Sequence, residues 1–364
     1  MKFKIAAILL CFMLTFTSNA YALEKESNKN EKPKLNCHSA VVIDQNSGRV
    51  LYGKNHNKIL PMASTTKIIT AIVAIENGNL KEKVKISKKA ASINGSSAKL
   101  KEGEEVSLEE LIYGLMLKSG NDAAVAIAEH IGKGKVENFI SLMNKKVVEI
   151  GLYNTHFVTP HGLDADGHET TAEDLAKATA YAFKNDTFEK ISKCREIVSG
   201  ESGTFNKPYN NINKFLFKVP NADGVKTGYT GKAGKCLVAS VFHNNGRYIA
   251  VTLNSGDRWK DCENLTNYAK DNFTYKEISN KDIKINPTKV LEGKEKKITG
   301  IIEENIFIPV LKDSNEKIDI IAQPLSVIPA PIKKGEQIGN LVIKVDGKIV
   351  STYPLKSDKD IDKK

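Results

Sequence analysis

The residues with the most obvious chemical potential are Ser64 and Lys67 in Pro61-Met62-Ala63-Ser64-Thr65-Thr66-Lys67. Side chains three apart on a helix share a face, so the Ser64 hydroxyl and the Lys67 amine can meet as nucleophile and base. Ile68 to Ile75 behind them is apolar on nearly every side, which describes a helix buried all round. A lysine rooted there loses hydration, and its pKa moves toward the range where it accepts a proton. Ser-x-x-Lys arises by chance about once in a chain of this size, and Ser96/Lys99 and Ser314/Lys317 fit it too. Those two stand in polar stretches with no apolar run behind them and read as loops. Two further groupings carry suitable chemistry. Ser119-Gly120-Asn121 falls between two helical segments, where a hydroxyl and a carboxamide can project into a cleft; taken alone it would be a helix N-cap. Lys226-Thr227-Gly228 opens a strand-like run and offers a cation, a hydroxyl and close backbone approach; taken alone it would be a strand-end turn. The succession of buried helix start, interhelical loop and strand edge raises all three above their separate weight.

The elements that must position these groups follow from pattern. Ser39–Asp44, the turn residues Gln45-Asn46-Ser47-Gly48 and Arg49–Tyr52 read as a hairpin. The Ser64 helix ends at Asn77-Gly78-Asn79. Ser107-Leu108-Glu109-Glu110 has the form of a capping box opening a helix through Leu117, followed by helices over Asp122–Ile131 and Val136–Ile150 and one capped by Thr170-Thr171-Ala172-Glu173 that runs to about Phe183. Residues 223–229, 236–242 and 248–253 then read as antiparallel strands, with a hairpin turn at Asn244-Asn245-Gly246, and Asp261–Phe273 as a helix. Strands at both ends of a helical middle predict an α+β domain over 37–274, with one antiparallel sheet assembled from both termini. Beyond Tyr275, short runs such as Asn305–Val310 and Leu341–Val345 predict a small all-β domain over 275–355, and 356–364 reads as a polar tail.

The chain has 364 residues and a net charge of +11. Met1-Lys2-Phe3-Lys4, an apolar stretch over Ile5–Phe16 and Ala20-Tyr21-Ala22 describe a secretory signal peptide over 1–22. A Lys/Glu/Asn-rich lead-in over 23–36 follows it. Export and extracellular, wall-associated residence are therefore expected, with the basic surface directed at anionic polymers, wall or membrane. No aromatic-interleaved basic motif points to nucleic acid. Cys37, Cys194, Cys236 and Cys262 show no framework spacing, and free thiols are expected. No metal-ligand spacing is present, so neither a metal nor a cofactor is expected. The closing Leu355-Lys356-Ser357-Asp358-Lys359-Asp360-Ile361-Asp362-Lys363-Lys364 has no apolar face, and no C-terminal membrane anchor is expected.

Ser64-x-x-Lys67, Ser119-x-Asn121 and Lys226-Thr227-Gly228 in this order resemble the three motifs of the penicillin-binding serine enzymes. Thr159-Pro160-His161-Gly162-Leu163-Asp164, His168-Glu169-Thr170-Thr171-Ala172-Glu173-Asp174-Leu175-Ala176 and Ile332–Gly339 are similar to segments of the low-molecular-mass D-alanyl-D-alanine carboxypeptidases within that family. The resemblance spans roughly residues 38–355. It implies a β-lactamase/transpeptidase-like domain followed by a β-rich one. It also implies removal of the terminal D-alanine from peptidoglycan stem peptides through an acyl-enzyme on Ser64, with β-lactams acylating the same serine. Lys67 would take the Ser64 proton, Ser119 would relay a proton to the leaving group, and Asn121 would hold Lys67 and the substrate amide. Lys226 and Thr227 would bind the terminal carboxylate, and backbone N–H groups of Ser64 and Tyr229 would form the oxyanion hole beside Gly228. Arg258 is either a second carboxylate contact or a surface arginine, and His161 a loop-shaping residue.

Three rival readings share the scaffold. A class A-like β-lactamase needs a deacylating Glu-x-x-Leu-Asn segment that Glu169-Thr170-Thr171-Ala172-Glu173 does not supply. A non-enzymatic penicillin-binding sensor, or a structural wall protein that kept the fold, is opposed by intact Ser64, Lys67, Ser119, Asn121 and Lys226, which argue against lost catalysis. A transpeptidase differs only in the nucleophile that resolves the acyl-enzyme.

Overall fold

The computed structural model describes residues 31–199 and 205–364. The expected leader and lead-in residues 23–30 lie outside them. A five-stranded antiparallel sheet runs in the order Val50–Lys54, Cys37–Asp44, Gly246–Ser255, Gly234–His243, Ala222–Thr230. Two strands from the start of the chain are thus joined to three from its second half, Ser39 facing Leu253 and Val41 facing Val251. Side chains alternate across a strand, and here the alternation fills two cores. Val41, Ile43, Val238, Ile249 and Val251 pack with the helical middle. Ala40, Val42, Leu237, Ala239 and Ala250 pack with Cys262, Leu265 and Ala269 of the helix Arg258–Asn272. The result is a helix–sheet–helix sandwich.

In the helical layer, Lys67–Asn77 is buried continuously from Lys67 to Ala74. Leu108–Leu117 and Asn121–Ile131 pack beside it, separated by the break that holds Ser119. The Ser107 hydroxyl caps the first of these by accepting from Glu110 N–H. The carboxylate of Glu110, however, does not reach back as a capping box requires. It is fully buried and instead accepts from Asn206 N–H, Lys207 N–H and the Tyr209 hydroxyl, because the 205–209 segment folds over it. The helix expected from Asp261 begins at Arg258, capped by Asp257 on Lys260 N–H.

The residues after Phe273 form short sheets around two smaller cores. One has the order Gly300–Ile301, Lys348–Ser357, Gln337–Val345, Ile318–Pro324, and Phe273–Ile278 pairs with Ile306–Leu311. Asp346-Gly347, both at positive φ, close the hairpin between the two long strands. The charged C-terminal residues are held down, since Ile361 is buried and bridges Ile332. Arg49 of the larger sheet's hairpin clasps Glu316 and the Pro309 carbonyl, and the Tyr275 hydroxyl donates to the buried carboxylate of Asp44 at 2.6 Å. These contacts tie the β-rich region to the sheet. No helix among the described residues is long and apolar enough to cross a membrane.

Candidate active site

Ser64 sits in a single 3-10 turn, Ala63–Thr66, that feeds directly into the buried helix Lys67–Asn77. Lys67 is fully buried, and its Nζ lies 2.8 Å from Ser64 Oγ, 2.8 Å from Asn121 Oδ1 and 2.7 Å from the His161 carbonyl. A neutral amine has two N–H groups and one lone pair. The two oxygens that can only accept, Asn121 Oδ1 and His161 O, match the two N–H groups and leave the lone pair for the Ser64 hydroxyl. Burial, reinforced by the nearby Lys226 charge, holds Lys67 well below the usual lysine range, with Asp122 opposing the shift. Ser64 is thereby set beside a base.

Asn121 is fixed from behind. Its Nδ2 donates to the Asn94 carbonyl at 2.7 Å and its backbone N–H to Ser96 O. Asp122 holds the same segment by accepting from Ala98 N–H, Leu100 N–H and the Ser97 hydroxyl. Ser119 is buried, with φ of 58° in the tight break between the two helices.

The edge strand Ala222–Thr230 runs along the Ser64 turn. A Cβ at Gly228 would lie 3.1 Å from Ala63 Cβ, Met62 O and Ser64 N, so glycine is what lets the strand approach this closely. Lys226 on this strand is buried with its Nζ on the Thr227 carbonyl, and it forms no ion pair among the described residues. Burial, with Arg258 adding repulsion, lowers its pKa to about 7. Thr227 is nearly buried, whereas Tyr229 is 67% exposed. Arg258 stands at the start of its helix, donates from Nη1 to the Gly228 carbonyl at 2.7 Å, and stacks over Trp259. Its Nε is buried without a hydrogen-bond partner among the described residues. Arg258 thus lies half-buried against the Lys226 strand and not out on the open surface. Ser64, Lys67, Asn121, Gly228 and Arg258 are linked through these contacts, with Ser119, Lys226, Thr227 and Tyr229 on the same two segments.

The backbone of the 157–168 loop escaped the residue-type reading. The His161 carbonyl receives Lys67 and lies 3.3 Å from Ser64 Oγ, while its ring accepts from Leu163 N–H and shapes the loop. Pro160 O accepts from Thr70, and Asp164 takes the Thr230 hydroxyl and Lys232 N–H, joining the loop to the edge strand. A backbone carbonyl has no signature in side-chain identity; only the family-like run Thr159–Asp164 marked the loop. No cluster of His, Cys, Asp or Glu that could hold a metal occurs among the described residues.

Amine-activated serine chemistry on this scaffold belongs to the serine hydrolases, and the chain is one of them. The family described as D-alanyl-D-alanine carboxypeptidase matches residues 26–257, and the C-terminal domain of penicillin-binding protein 5 matches residues 273–363. D-alanyl-D-alanine carboxypeptidase DacF of Bacillus subtilis is 34% identical over all of this chain and 95% of its own length. DacA of Haemophilus influenzae is 33% identical over 90% of this chain and 86% of its own. Among solved structures, penicillin-binding protein 5 of Haemophilus influenzae superposes with a TM-score of 0.71 at 30% identity, covering 92% of this chain and 99% of that one. The Streptomyces K15 DD-transpeptidase superposes at 0.62 with 33% identity, over 65% of this chain and 98% of its own. The chain belongs to the D-alanyl-D-alanine carboxypeptidase family.

Proposed function

We propose that this protein is a serine-type D-alanyl-D-alanine carboxypeptidase acting on peptidoglycan stem peptides outside the cell membrane, and that β-lactams acylate it at Ser64. The observation that carries the reading is the 2.8 Å contact between Ser64 Oγ and a buried Lys67 whose two N–H groups are already engaged. Neutral Lys67 takes the Ser64 proton as Oγ attacks the carbonyl between the two terminal D-alanines. The oxyanion is received by the N–H groups of Ser64 and Tyr229, each such donor being worth about 3–4 kcal/mol in comparable enzymes. Ser119 passes a proton to the departing D-alanine, Asn121 keeps Lys67 in place, and water releases the acyl group. Lys226, Thr227 and Arg258 bind the substrate's terminal carboxylate. The unpaired Lys226 charge and the unpartnered Arg258 Nε support this, since an incoming anion would offset both. The basic leader-like start and Ala20-Tyr21-Ala22 support export. D-Alanine release from diacetyl-Lys-D-Ala-D-Ala, measured beside Ser64→Ala, tests the reading. Release that disappears in the variant is the expected result. Penicillin bound at Ser64 without any D-alanine release would move the transpeptidase or sensor reading ahead.

A further inference from the structure

The proposed mechanism uses the Ser64 N–H but leaves open what aims it. Ser64 N–H and the Ala63 carbonyl belong to one planar trans peptide unit and point in opposite directions, so whatever holds Ala63 O also aims Ser64 N–H. Ala63 has φ of 50°, a left-handed conformation that costs a non-glycine residue on the order of 1 kcal/mol and needs external support. Two supports converge on its carbonyl. The Thr66 hydroxyl donates to it at 2.7 Å, and Gly162 is pressed against it so closely that a Cβ there would lie 2.0 Å from the oxygen.

Thr66 is itself held by His168. The His168 ring is buried, edge-on to Phe157, with Nε2 2.8 Å from Thr66 Oγ1. Its Nδ1 faces the backbone N–H of Val158 at 3.0 Å and, more distantly, that of Thr159. Two N–H donors can be received only by an unprotonated Nδ1, so the ring proton sits on Nε2 and is donated to Thr66. The Thr66 hydroxyl, accepting from His168, directs its own hydrogen at Ala63 O, which can only accept. Each link fixes the polarity of the next.

We infer that His168 and Thr66 are positioning residues for the reaction at Ser64: a directed chain from Val158 N–H through His168 and the Thr66 hydroxyl to Ala63 O, which orients the Ser64 N–H as oxyanion donor. The inference rests on the carboxypeptidase reading of Ser64. It predicts a loss confined to the chemical step, because neither side chain lies among the groups assigned to the substrate carboxylate. Thr66→Val removes the hydroxyl at nearly constant shape, and Thr66→Ser keeps it. Acylation by a fluorescent penicillin and kcat and KM for diacetyl-Lys-D-Ala-D-Ala would be measured for both, together with His168→Ala and the His168→Ala/Thr66→Val pair. Thr66→Val should acylate on the order of 10- to 100-fold more slowly at an unchanged KM, the range expected when a catalytic group is misaimed rather than removed. Thr66→Ser should stay within about 3-fold of wild type, and the double variant should be no slower than the worse single one, because both break one chain. Should His168→Ala fail to fold, the Thr66 pair decides alone. Thr66→Val acylating at the wild-type rate, or losing KM and kcat together, overturns the chain while the carboxypeptidase reading stands. A wild type that is not acylated at Ser64 overturns both.

Discussion

Acidification should destabilise this protein through two imidazoles, and the size of the effect follows from their surroundings. Burial, with Lys67 and His168 adding to it at His161, and His156 at His168, brings both rings from 6.5 to about 4. Both are neutral in the folded chain above that point. Between pH 6.5 and 4 the unfolded chain takes up protons that the folded chain refuses, so stability is lost as pH falls through this window and is unaffected by these groups above it. At pH 4.5 each ring contributes a loss of about 2–3 kcal/mol, from 1.36 kcal/mol per unit of separation. The two together approach the lower end of a whole domain's stability, about 5 kcal/mol. Urea unfolding at pH 7 and pH 4.5, followed through the single tryptophan, Trp259, would be compared between wild type and His168→Asn. The amide oxygen of Asn can accept from Val158 N–H but does not titrate. Wild type should lose about 2–3 kcal/mol more than the variant between the two pH values. Equal losses would show that His168 is not held neutral inside, and the tautomer on which the His168–Thr66 chain depends would fall with it.

Further expectations concern the site and the thiols. As pH rises through about 7, Lys226 in the free enzyme loses the charge that pairs with the substrate carboxylate, so kcat/KM for diacetyl-Lys-D-Ala-D-Ala should fall. An alkaline fall of the same size with a D-alaninamide terminus would sink that assignment. Gly162→Ala should cost more than about 2 kcal/mol and most acylation, because φ is 86° and the new Cβ would meet the Ala63 carbonyl, as thermal unfolding and penicillin labelling can check. Cys37, Cys236 and Cys262 are buried with their thiols pushed up by burial, to about 12 and about 11 for the first two. Among the cysteines of the described residues, a thiol reagent should therefore reach at most the half-buried Cys194, and fast labelling of Cys37, Cys236 or Cys262 in the native protein would contradict the packing.

How much of this was legible in the sequence depends on which atoms act. Ser64 and Lys67 meet through side chains three apart, as their spacing predicted, and Asn121 reaches Lys67 by its side chain from the interhelical break. The sheet strands declared themselves through β-branched runs bounded by turns. His161 meets Lys67 through its carbonyl, which any residue would offer, while its ring shapes the loop as expected from the sequence. Arg258 was ambiguous because its spacing from Lys226 differs from that expected of the family's arginine, yet Asp257 caps a helix there and delivers the guanidinium to Gly228. Glu110 fits a capping box locally, but a distant segment claims its carboxylate. Lys348–Ser357 and Phe273–Ile278 are strands whose polar alternation marked no strand in the sequence. In each case the deciding partner is far away in sequence.

The pairing of Ser39 with Leu253 bears on how the molecule comes into being. Contacts between such distant positions form slowly, because the loop between them must be closed before the contact repays it. During synthesis the first hairpin and the Lys67–Asn77 helix emerge long before the strands Gly234–His243 and Gly246–Ser255 that cover them. A helix apolar on all sides then waits without its sheet, which makes this interval the one most exposed to aggregation. The same delay governs reactivity. Lys67 owes its uncharged, proton-accepting state to burial and to the neighbourhood of Lys226, a residue on a strand made long after the helix. Until the last strands dock, Lys67 is an ordinary solvated ammonium and Ser64 an ordinary alcohol, so the nascent chain carries its nucleophile in an unarmed form.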